Sequence, residues 1–326
     1  MDALSAVLKS VRLEGAVFLN AEFTAPWCIR GHFGLARARA RLPAADHVLF
    51  FHFLVEGHCK VRLADGAGGR FDAIDVTAGD VILLPQDDRY MMGSDLHIAP
   101  METGDVDDAA AAVEDDFIQM RQGGGNAATR FVCGYLGCSK AVLRPLIGAL
   151  PRLLCIPIGD GHAMTLLRDL LRVGVRESLA PRPGAEPMLA KLAELIFVEA
   201  LRRHADTAPL QPDGWFAAVR DPHVGRALAL LHEEPDRAWT VDALAQQVAL
   251  SRSALAERFS ALTGDSPIRY LVRWRLALAA QALRSGAEAI SRIAERSGYE
   301  SEASFNRAFK REFGTPPAAW RRAGSP

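Results

Sequence analysis

Cysteine is scarce in this chain, with five residues among 326, and that is too few for a scaffold held together by disulfides. We therefore expect reduced thiols and a cytoplasmic protein. No apolar run approaches the roughly 20 residues that a membrane-spanning helix needs, so no membrane partner is predicted. The first residues, MDALSAVLKSVRLEGAVFL, lack a basic start and a small-residue cleavage site, and no signal peptide is expected.

Motifs that carry catalysis are also missing. The sequence contains no Gly-rich phosphate-binding loop, no arrangement of a nucleophile with its base and no paired-carboxylate motif. We therefore predict that the protein is not an enzyme and expect no cofactor. The length is sufficient for two domains, and 49% hydrophobic with 24% charged residues is typical of globular proteins.

The net charge of −1 conceals an uneven distribution of charge along the chain. Residues 222–326 contain 15 Lys and Arg against 11 Asp and Glu, whereas the rest of the chain is acidic. A basic carboxyl-terminal part on an acidic body fits a polyanionic partner such as double-stranded DNA.

The hydrophobic pattern divides the chain into four parts. Short apolar or alternating segments that end at Gly, Pro or Asp predict an antiparallel all-β domain over residues 1–155. Helical spacing predicts a helical segment over residues 156–206, which either packs on the sheets or forms a dimer interface. Two prolines and a glycine indicate a linker at 207–221, and residues 222–326 form an all-helical domain.

Two stretches differ in composition from the rest of the parts to which they belong. Residues 162–179 carry apolar side chains at helical spacing and predict a helix. Residues 101–130 are acidic and then Gly-rich, which indicates a mobile insertion in the β domain.

Two segments of the carboxyl-terminal part repeat each other, and a repeat largely decides the expected fold. The stretch VALSRSALAERFSALTGDSPIRY aligns without a gap with GYESEASFNRAFKREFGTPPAAW, 50 residues further on. Serine, phenylalanine and glycine recur at equivalent positions: Ser251 and Ser301, Phe259 and Phe309, Gly264 and Gly314. The domain therefore contains one structural unit twice.

Each unit reads as a helix, a tight turn and a second helix. Ser251 and Ser301 are expected to cap the second helices, and Gly298 supplies the positive φ of a turn. Between the units, residues 267–285 begin with Pro and predict one unbroken helix of about 28 Å. Two helix-turn-helix units enter successive major grooves about 34 Å apart, so a rod of this length is suited to hold both on one duplex.

With "LSRSALAERF", "GDSPIRYLVRWRL" and "IAERSGYESEASFNRAFKREFGTPPAAWR", the domain resembles the DNA-binding domain of AraC/XylS-type transcription regulators. The resemblance implies two helix-turn-helix motifs, a sequence-specific regulator, a homodimer and RNA polymerase as a further partner. It also implies these groove-facing positions: Arg252, Ser253, Ala256 and Glu257, then Glu302, Ala303, Asn306 and Arg307. Arginines are the candidates for phosphate contacts: Arg269, Arg273, Arg275, Arg292 and Arg296.

The chemistry of these side chains differs between the two motifs. Arg307 and Asn306 have the groups that read guanine and adenine edges, respectively. A carboxylate near phosphates is repelled unless it accepts from cytosine, which Glu257 and Glu302 would have to do. Many members of the family carry a basic residue at the position of Glu257, so the reading of bases by the first motif stays open.

The β part resembles a cupin, through "FHFLVEG" and "AGDVILLPQDDRY". A metal-binding cupin places two His and a Glu on the first motif and a His on the second, but Phe50 and Tyr90 stand at two of those positions. His52 and Glu56 remain, one ligand fewer than a catalytic zinc site usually has. We therefore expect no metal, keep a metal-dependent cupin enzyme as an alternative, and predict a cupin-like sensor domain.

Without a metal, the mouth of the barrel is a pocket for a small-molecule effector. Its predicted lining is Trp27, His52, Glu56 and Tyr90. The cysteines suggest an alternative in which the regulator senses oxidants through Cys28 and Cys59. Most free cysteines, however, are small buried hydrophobic residues.

Overall fold

A computed structural model describes the protein over most of its length. The described residues are 2–11, 13–32, 34–39, 42, 45–64, 72–102, 118–157, 169, 173, 183–207, 213–286 and 288–324. The helix predicted at 162–179 lies outside these residues, apart from residues 169 and 173.

The amino-terminal domain is built from two facing sheets. Its strands are β1 (Glu14–Thr24), β2 (Cys28–Gly31), β3 (His47–Glu56), β4 (His58–Leu63), β5 (Ile74–Thr77), β6 (Asp80–Leu84), β7 (Tyr90–Gly93), β8 (Met101–Glu102), β9 (Ile118–Gly123), β10 (Ala128–Cys138) and β11 (Leu154–Pro157). One sheet has the order β11-β6-β3-β10-β1-β9 and the other β5-β4-β7-β2-β8. The predicted all-β, cupin-like domain is confirmed, with the described strands forming two sheets and not one closed barrel.

Strand β3 is apolar on both faces, which explains its continuous run HVLFFHFLVE. Phe50 and Leu54 point between the two sheets and Phe51 and Phe53 point away from them, because side chains alternate along a strand. The outer face of the six-stranded sheet is covered by helices. A strand between two apolar layers loses the alternation of polar and apolar residues that marks a half-exposed strand.

The prediction of an insertion at residues 101–130 is wrong for residues 118–130, which form strands and a turn, whereas residues 103–117 lie outside the described part of the chain. Strand β9 pairs in parallel with β1 through Leu19 and Ile118, and β10 begins at Ala128. The Gly-rich stretch is the turn between β9 and β10, so its composition reflects a tight connection between paired strands.

The helices fall into two groups along the chain. The earlier ones belong to the amino-terminal domain, and the later ones form the carboxyl-terminal domain. They are α1 (Ala3–Ser10), α2 (Leu35–Ala38), α3 (Lys140–Ile147), α4 (Ala185–Thr207), α5 (Trp215–Arg220), α6 (Pro222–Glu233), α7 (Val241–Gln247), α8 (Arg252–Thr263), α9 (Pro267–Ser285), α10 (Ile290–Arg296), α11 (Glu302–Phe313) and α12 (Pro317–Gly324). The all-helical prediction for residues 222–326 is confirmed across its described part.

Helix α4 packs on the six-stranded sheet. Leu189, Leu192 and Ile196 are buried in the core that the outer sheet face shares with α1 and α3. Helical spacing predicts one apolar stripe from these residues together with Leu195 and Val198, but Leu195 is 50% exposed. Packing on the sheet, one of the two interpretations of this helix, therefore accounts for most of the stripe.

The segment predicted as a linker contains helix α5, so it is not an open connection. Trp215 and Phe216 are buried in the core of the amino-terminal domain, together with Trp274 and Ala277 of α9. The two domains therefore share apolar packing. None of the described helices is both long and apolar enough to cross a membrane.

The two helix-turn-helix motifs have separate cores at the two ends of α9. The first motif packs Leu255 and Phe259 with Tyr270 and Leu271 of α9. The second packs Phe305 and Phe309 of α11 with a different set from α9: Leu276, Ala279, Ala280 and Leu283. Helix α9 runs without a break over its predicted 19 residues, and it is therefore the element that fixes how the motifs are spaced.

The turn of the second motif is one residue longer than the turn of the first. The ungapped alignment therefore holds for the second helices of the motifs but not for the turns that precede them. Two residues separate Val248, which ends α7, from Ser251, whereas three separate Ser297 from Ser301. Ala249 takes the left-handed conformation, with a φ of 55°, where the second motif uses Gly298. A side chain in that conformation costs about 1 kcal/mol, which the packing of the first motif offsets.

Candidate nucleic-acid interface

The second helix of each motif starts with the same capping arrangement. The Ser251 hydroxyl accepts from the backbone N–H of Ala254 at 3.2 Å, and the Ser301 hydroxyl accepts from that of Ser304 at 3.2 Å. Both helices end at a glycine in the left-handed conformation. These caps confirm the predicted helix limits and give α8 and α11 the same register from their first residue.

The predicted groove-facing positions lie on the open side of both helices. Three in each helix are exposed: Arg252, Ser253 and Glu257, then Glu302, Ala303 and Arg307. Ala256 and Asn306 are half-buried, because they border the buried stripes. At these positions each helix therefore presents one arginine, one carboxylate and two shorter side chains. None of the eight is a bulky apolar residue that would block contact with the edge of a base.

The two arginines of this surface differ in their surroundings. Arg252 lies 3.5 Å from the Asp242 carboxylate of α7. Arg307 makes no hydrogen bond or ion pair with another residue in the described part of the chain, and Lys310 and Arg311 are exposed further along α11. A free guanidinium on an exposed helix face is suited to a bidentate contact with guanine, so the second motif has the stronger chemistry for reading a base.

Arg273, predicted to contact phosphate, forms ion pairs with two carboxylates. Its guanidinium bonds Asp265 at 2.5 Å and lies 3.6 Å from Glu312. A phosphate would have to compete with both acids for the guanidinium. The structure thus places Arg273 in an ion-pair network between the ends of α8 and α11, and a contact of this arginine with phosphate stays a prediction.

The remaining arginine candidates divide into structural and exposed groups. Arg275 donates to the carbonyl oxygens of Pro235 and Arg237, and a Cβ at Gly298 would lie 2.7 Å from its guanidinium. Arg275 therefore connects the loop before the first motif with the turn of the second motif. Arg269 bonds Asp265 at 3.0 Å and Arg296 lies 3.4 Å from Glu288, but both guanidiniums remain largely exposed.

One face of α9 is in contact with the amino-terminal domain along most of its length. Trp274 and Ala277 pack in the shared core. The Gln281 amide donates to the Ser10 carbonyl at 3.2 Å, and Arg284 lies 3.3 Å from the Asp46 carboxylate. Spacing of three, four and three residues puts these four side chains on one helix face. The amino-terminal domain therefore contacts the rod that spaces the recognition helices.

Three of the four predicted pocket residues are buried between the sheets. Trp27 stacks on Phe23 with ring centroids 4.5 Å apart. The Nε2 atom of His52 lies 2.7 Å from the Tyr90 hydroxyl, and all three residues are buried. Gly31 leaves room for the Tyr90 ring, since a Cβ there would lie 2.2 Å from it. These side chains fill the interior and do not line an open mouth.

Glu56, the fourth predicted pocket residue, lies on the surface. Its side chain is 56% exposed and pairs with Arg130 at 2.9 Å. A register shift between Arg130 and Phe131 in β10 coincides with this end of β3, so the alternation expected from a regular strand fails there. The structure does not bring Glu56 together with His52.

His52 lacks the partners of a metal ligand. Its Nδ1 atom lies 2.7 Å from the Cys133 sulfur, and burial lowers its pKa to about 3. The part of the chain that the structure describes contains no group of three or more His, Cys, Asp or Glu side chains able to hold a metal ion. His52 is a neutral, hydrogen-bonded core residue in this arrangement.

Cys28 and Cys59 lie on opposite faces of the five-stranded sheet. Cys59 and Ile29 point into the interior core, so Cys28, next to Ile29, points outward. Gly93 separates Cys28 from Lys60 across the sheet. Burial raises the pKa of both thiols, whereas reactivity requires the thiolate. The structure does not bring the predicted redox pair together.

Comparison with known proteins agrees with this two-domain arrangement. A family model described as "Cupin" matches residues 2–206, and one described as "Helix-turn-helix domain" matches residues 244–323. An AraC-like transcription regulator of Streptomyces lividans is 36% identical over 284 residues, which cover 85% of this chain and 88% of that protein.

Two further relatives cover similar or larger shares. An AraC-like transcription regulator of Streptomyces antibioticus is 34% identical over 86% of this chain and 89% of its own length. The HTH-type transcriptional regulator AlkR of Acinetobacter baylyi is 28% identical over 98% of this chain and 99% of its own length. With a cupin domain followed by paired helix-turn-helix motifs, the chain belongs to the AraC family of DNA-binding transcription regulators.

Proposed function

We propose that this regulator reads two successive major grooves of its promoter, with α8 and α11, and that the amino-terminal domain controls this reading through α9. The observation that carries the proposal is the position of α9. It joins two recognition helices of identical register and is contacted along one face by the amino-terminal domain.

The control follows from the role of α9 as a spacer. Recognition of successive grooves requires two helices about one turn of DNA apart, which a 19-residue helix of about 28 Å can span between its ends. A change in the amino-terminal domain that alters its contacts with α9 changes the position of one motif relative to the other. A small-molecule effector can change the affinity for DNA only by as much as its own affinity differs between the two arrangements of the motifs.

The partners follow from this proposal and from the family. Double-stranded DNA is the partner of the helical domain, and we propose an effector, RNA polymerase and a second copy of the chain as the others. The exposed Leu195 of α4 is available for contact between two copies. Oxidant sensing through Cys28 and Cys59 is less well supported, because both are buried and on opposite sheet faces.

Arg307→Ala tests base reading by the second motif. We expect promoter binding to weaken by about 5–150-fold, which corresponds to about 1–3 kcal/mol, and discrimination at one base pair to be lost. Fluorescence anisotropy with the promoter and with each single base-pair substitution measures both quantities. Arg202→Ala removes the same charge from α4, which packs on the sheet of the amino-terminal domain, and should leave both unchanged.

Two results would contradict this assignment. Unchanged affinity would remove Arg307 from the interface. An equal loss of affinity on every substituted duplex would mean that Arg307 contacts phosphate, since a phosphate contact carries no sequence information.

A further inference from the structure

Helix α9 carries the two motifs on separate cores. Tyr270 and Leu271 of this helix belong to the core of the first motif, whereas Leu276 and Ala279 belong to the core of the second. Arg275 lies between these two pairs and is half-buried. A long polar side chain at this point of α9 is placed to reach both motifs.

The guanidinium of Arg275 holds the loop that precedes the first motif. Its Nε donates to the carbonyl oxygen of Pro235 at 2.5 Å, and its Nη2 donates to that of Arg237 at 2.8 Å. The Arg237 guanidinium lies 4.0 Å from the centre of the Trp239 ring, and the Trp239 indole N–H donates to the Glu234 carbonyl at 3.1 Å. Because Trp239 is buried in the core of the first motif, this loop is fixed to that motif.

The same guanidinium lies against the turn of the second motif. A Cβ at Gly298 would be 2.7 Å from Nη1 of Arg275. Gly298 takes a φ of 81°, and its N–H donates to the Glu295 carbonyl at 2.9 Å. The ring of Tyr299, the next residue, meets the ring of Phe305 edge to face at 5.6 Å, and Phe305 is buried in the core of the second motif. The turn is therefore fixed to the second core, as the loop is to the first.

Arginine has the shape that this double contact requires. Its planar guanidinium presents donors in a fixed fork, whereas a lysine ammonium is a single charged point on a flexible chain. Two nitrogens bond the loop and the third faces Gly298. Burial lowers the pKa of Arg275, as expected for a cation partly withdrawn from water. Rotation of one motif against the other would break these contacts, so the guanidinium favours one relative orientation of the motifs.

We propose that Arg275 is a positioning residue that restricts the protein to one spacing between its two half-sites, the segments of the promoter that α8 and α11 read. The inference rests on the proposed function, because it requires that both helices read DNA. One added base pair moves the second half-site by about 3.4 Å along the duplex and by about 34–36° around it. Motifs that are held together by Arg275 do not follow this displacement, whereas motifs joined by α9 alone adjust to it.

Promoter duplexes with one base pair inserted or deleted between the half-sites test this role, once methylation interference has located the half-sites. In fluorescence anisotropy, we expect the wild-type protein to bind the native spacing at least tenfold more tightly than either altered spacing. Arg275→Lys keeps the charge but loses the fork, and its preference should fall below threefold. Arg226→Lys, at an exposed arginine of α6, should keep the tenfold preference. A loss of stability alone would weaken binding to all three duplexes by the same factor.

Gly298→Ala disturbs the same contact from the second motif, with Gly314→Ala as its control. Both glycines are left-handed, with φ values of 81° and 75°, so alanine strains both backbones. A Cβ at Gly298 meets Arg275, whereas no atom of the described residues beyond the chain neighbours lies within 4 Å of a Cβ at Gly314. We expect Gly298→Ala to reduce the spacing preference below threefold and Gly314→Ala to leave it at tenfold.

The outcomes separate this inference from the proposed function. A tenfold preference that survives Arg275→Lys, or survives Gly298→Ala should the lysine variant not fold, would overturn the role of Arg275. Equal binding of all three duplexes by a wild-type protein that contacts both half-sites would overturn it too, and neither result touches the proposed function. A wild-type protein that contacts a single half-site for each bound copy would contradict the proposed function instead, whatever the variants do.

Discussion

Replacing Phe309 with alanine is expected to lower the free energy of unfolding by about 3–5 kcal/mol. The ring is fully buried, and it contacts the rings of Phe305, Phe313 and Trp320 at centroid distances of 5.5, 4.6 and 5.7 Å. Truncation leaves a cavity that so many rigid rings do not collapse to fill. Urea unfolding monitored by circular dichroism measures the loss.

Phe259→Ala is the matched variant, since Phe259 occupies the equivalent buried position of the first motif. We expect a similar loss of stability from it. The two motifs have separate cores. In DNase footprinting, Phe309→Ala should therefore remove the part of the footprint that the second motif protects. Phe259→Ala should remove the part that the first motif protects. A stability loss below about 1 kcal/mol for Phe309→Ala would contradict the packing described for α11.

Asp46→Asn is expected to cost about 3 kcal/mol of stability by leaving the charge of Arg284 buried without a partner. Both side chains are nearly enclosed, at 11% and 12% exposed. Burial lowers the pKa of Arg284, and its guanidinium lies 4.5 Å from the Trp320 ring. The backbone N–H of Lys140 donates to the Asp46 carboxylate at 2.6 Å, and asparagine keeps an oxygen that can accept this bond. The loss of stability therefore reports on the charge of Asp46.

A double-mutant cycle gives this prediction its control. Arg284→Met alone should also cost about 3 kcal/mol, and the double variant should cost at least 1 kcal/mol less than the sum of the single ones. Glu102→Gln, which breaks an exposed pair with Arg30, should cost less than about 1 kcal/mol. Additive losses from Asp46→Asn and Arg284→Met would mean that the two residues do not interact.

Local features of the helical domain could be predicted from the sequence. A serine cap, a glycine end and a phenylalanine stripe act within one or two turns of the chain, so their spacing in "SRSALAERFSALTG" and "SEASFNRAFKREFG" contains the information. The tight turn of the first motif was also predicted, at Ala249 and Leu250, but the left-handed conformation of Ala249 was not, because its side chain disfavours that conformation. No rule based on Gly predicts such a position.

Features that depend on distant parts of the chain could not be predicted in the same way. The ion pair of Arg273 with Glu312 was not predicted, because the two residues are close only in the folded protein. The inward direction of His52 followed from strand alternation, but its neighbour Cys133 lies 81 residues away. A signal for the α9 contact did exist, since Trp274, Ala277, Gln281 and Arg284 recur at helical spacing, yet spacing alone does not say what covers a face.

Methylation interference at guanine N7 on the promoter tests most directly whether one chain reads two turns of DNA. For each bound copy we predict two clusters of interfering guanines in the major groove, about 10–10.5 base pairs apart and on the same side of the duplex. A single cluster for each copy, or two clusters on opposite sides about 5 base pairs apart, would contradict the role given to α8, α9 and α11.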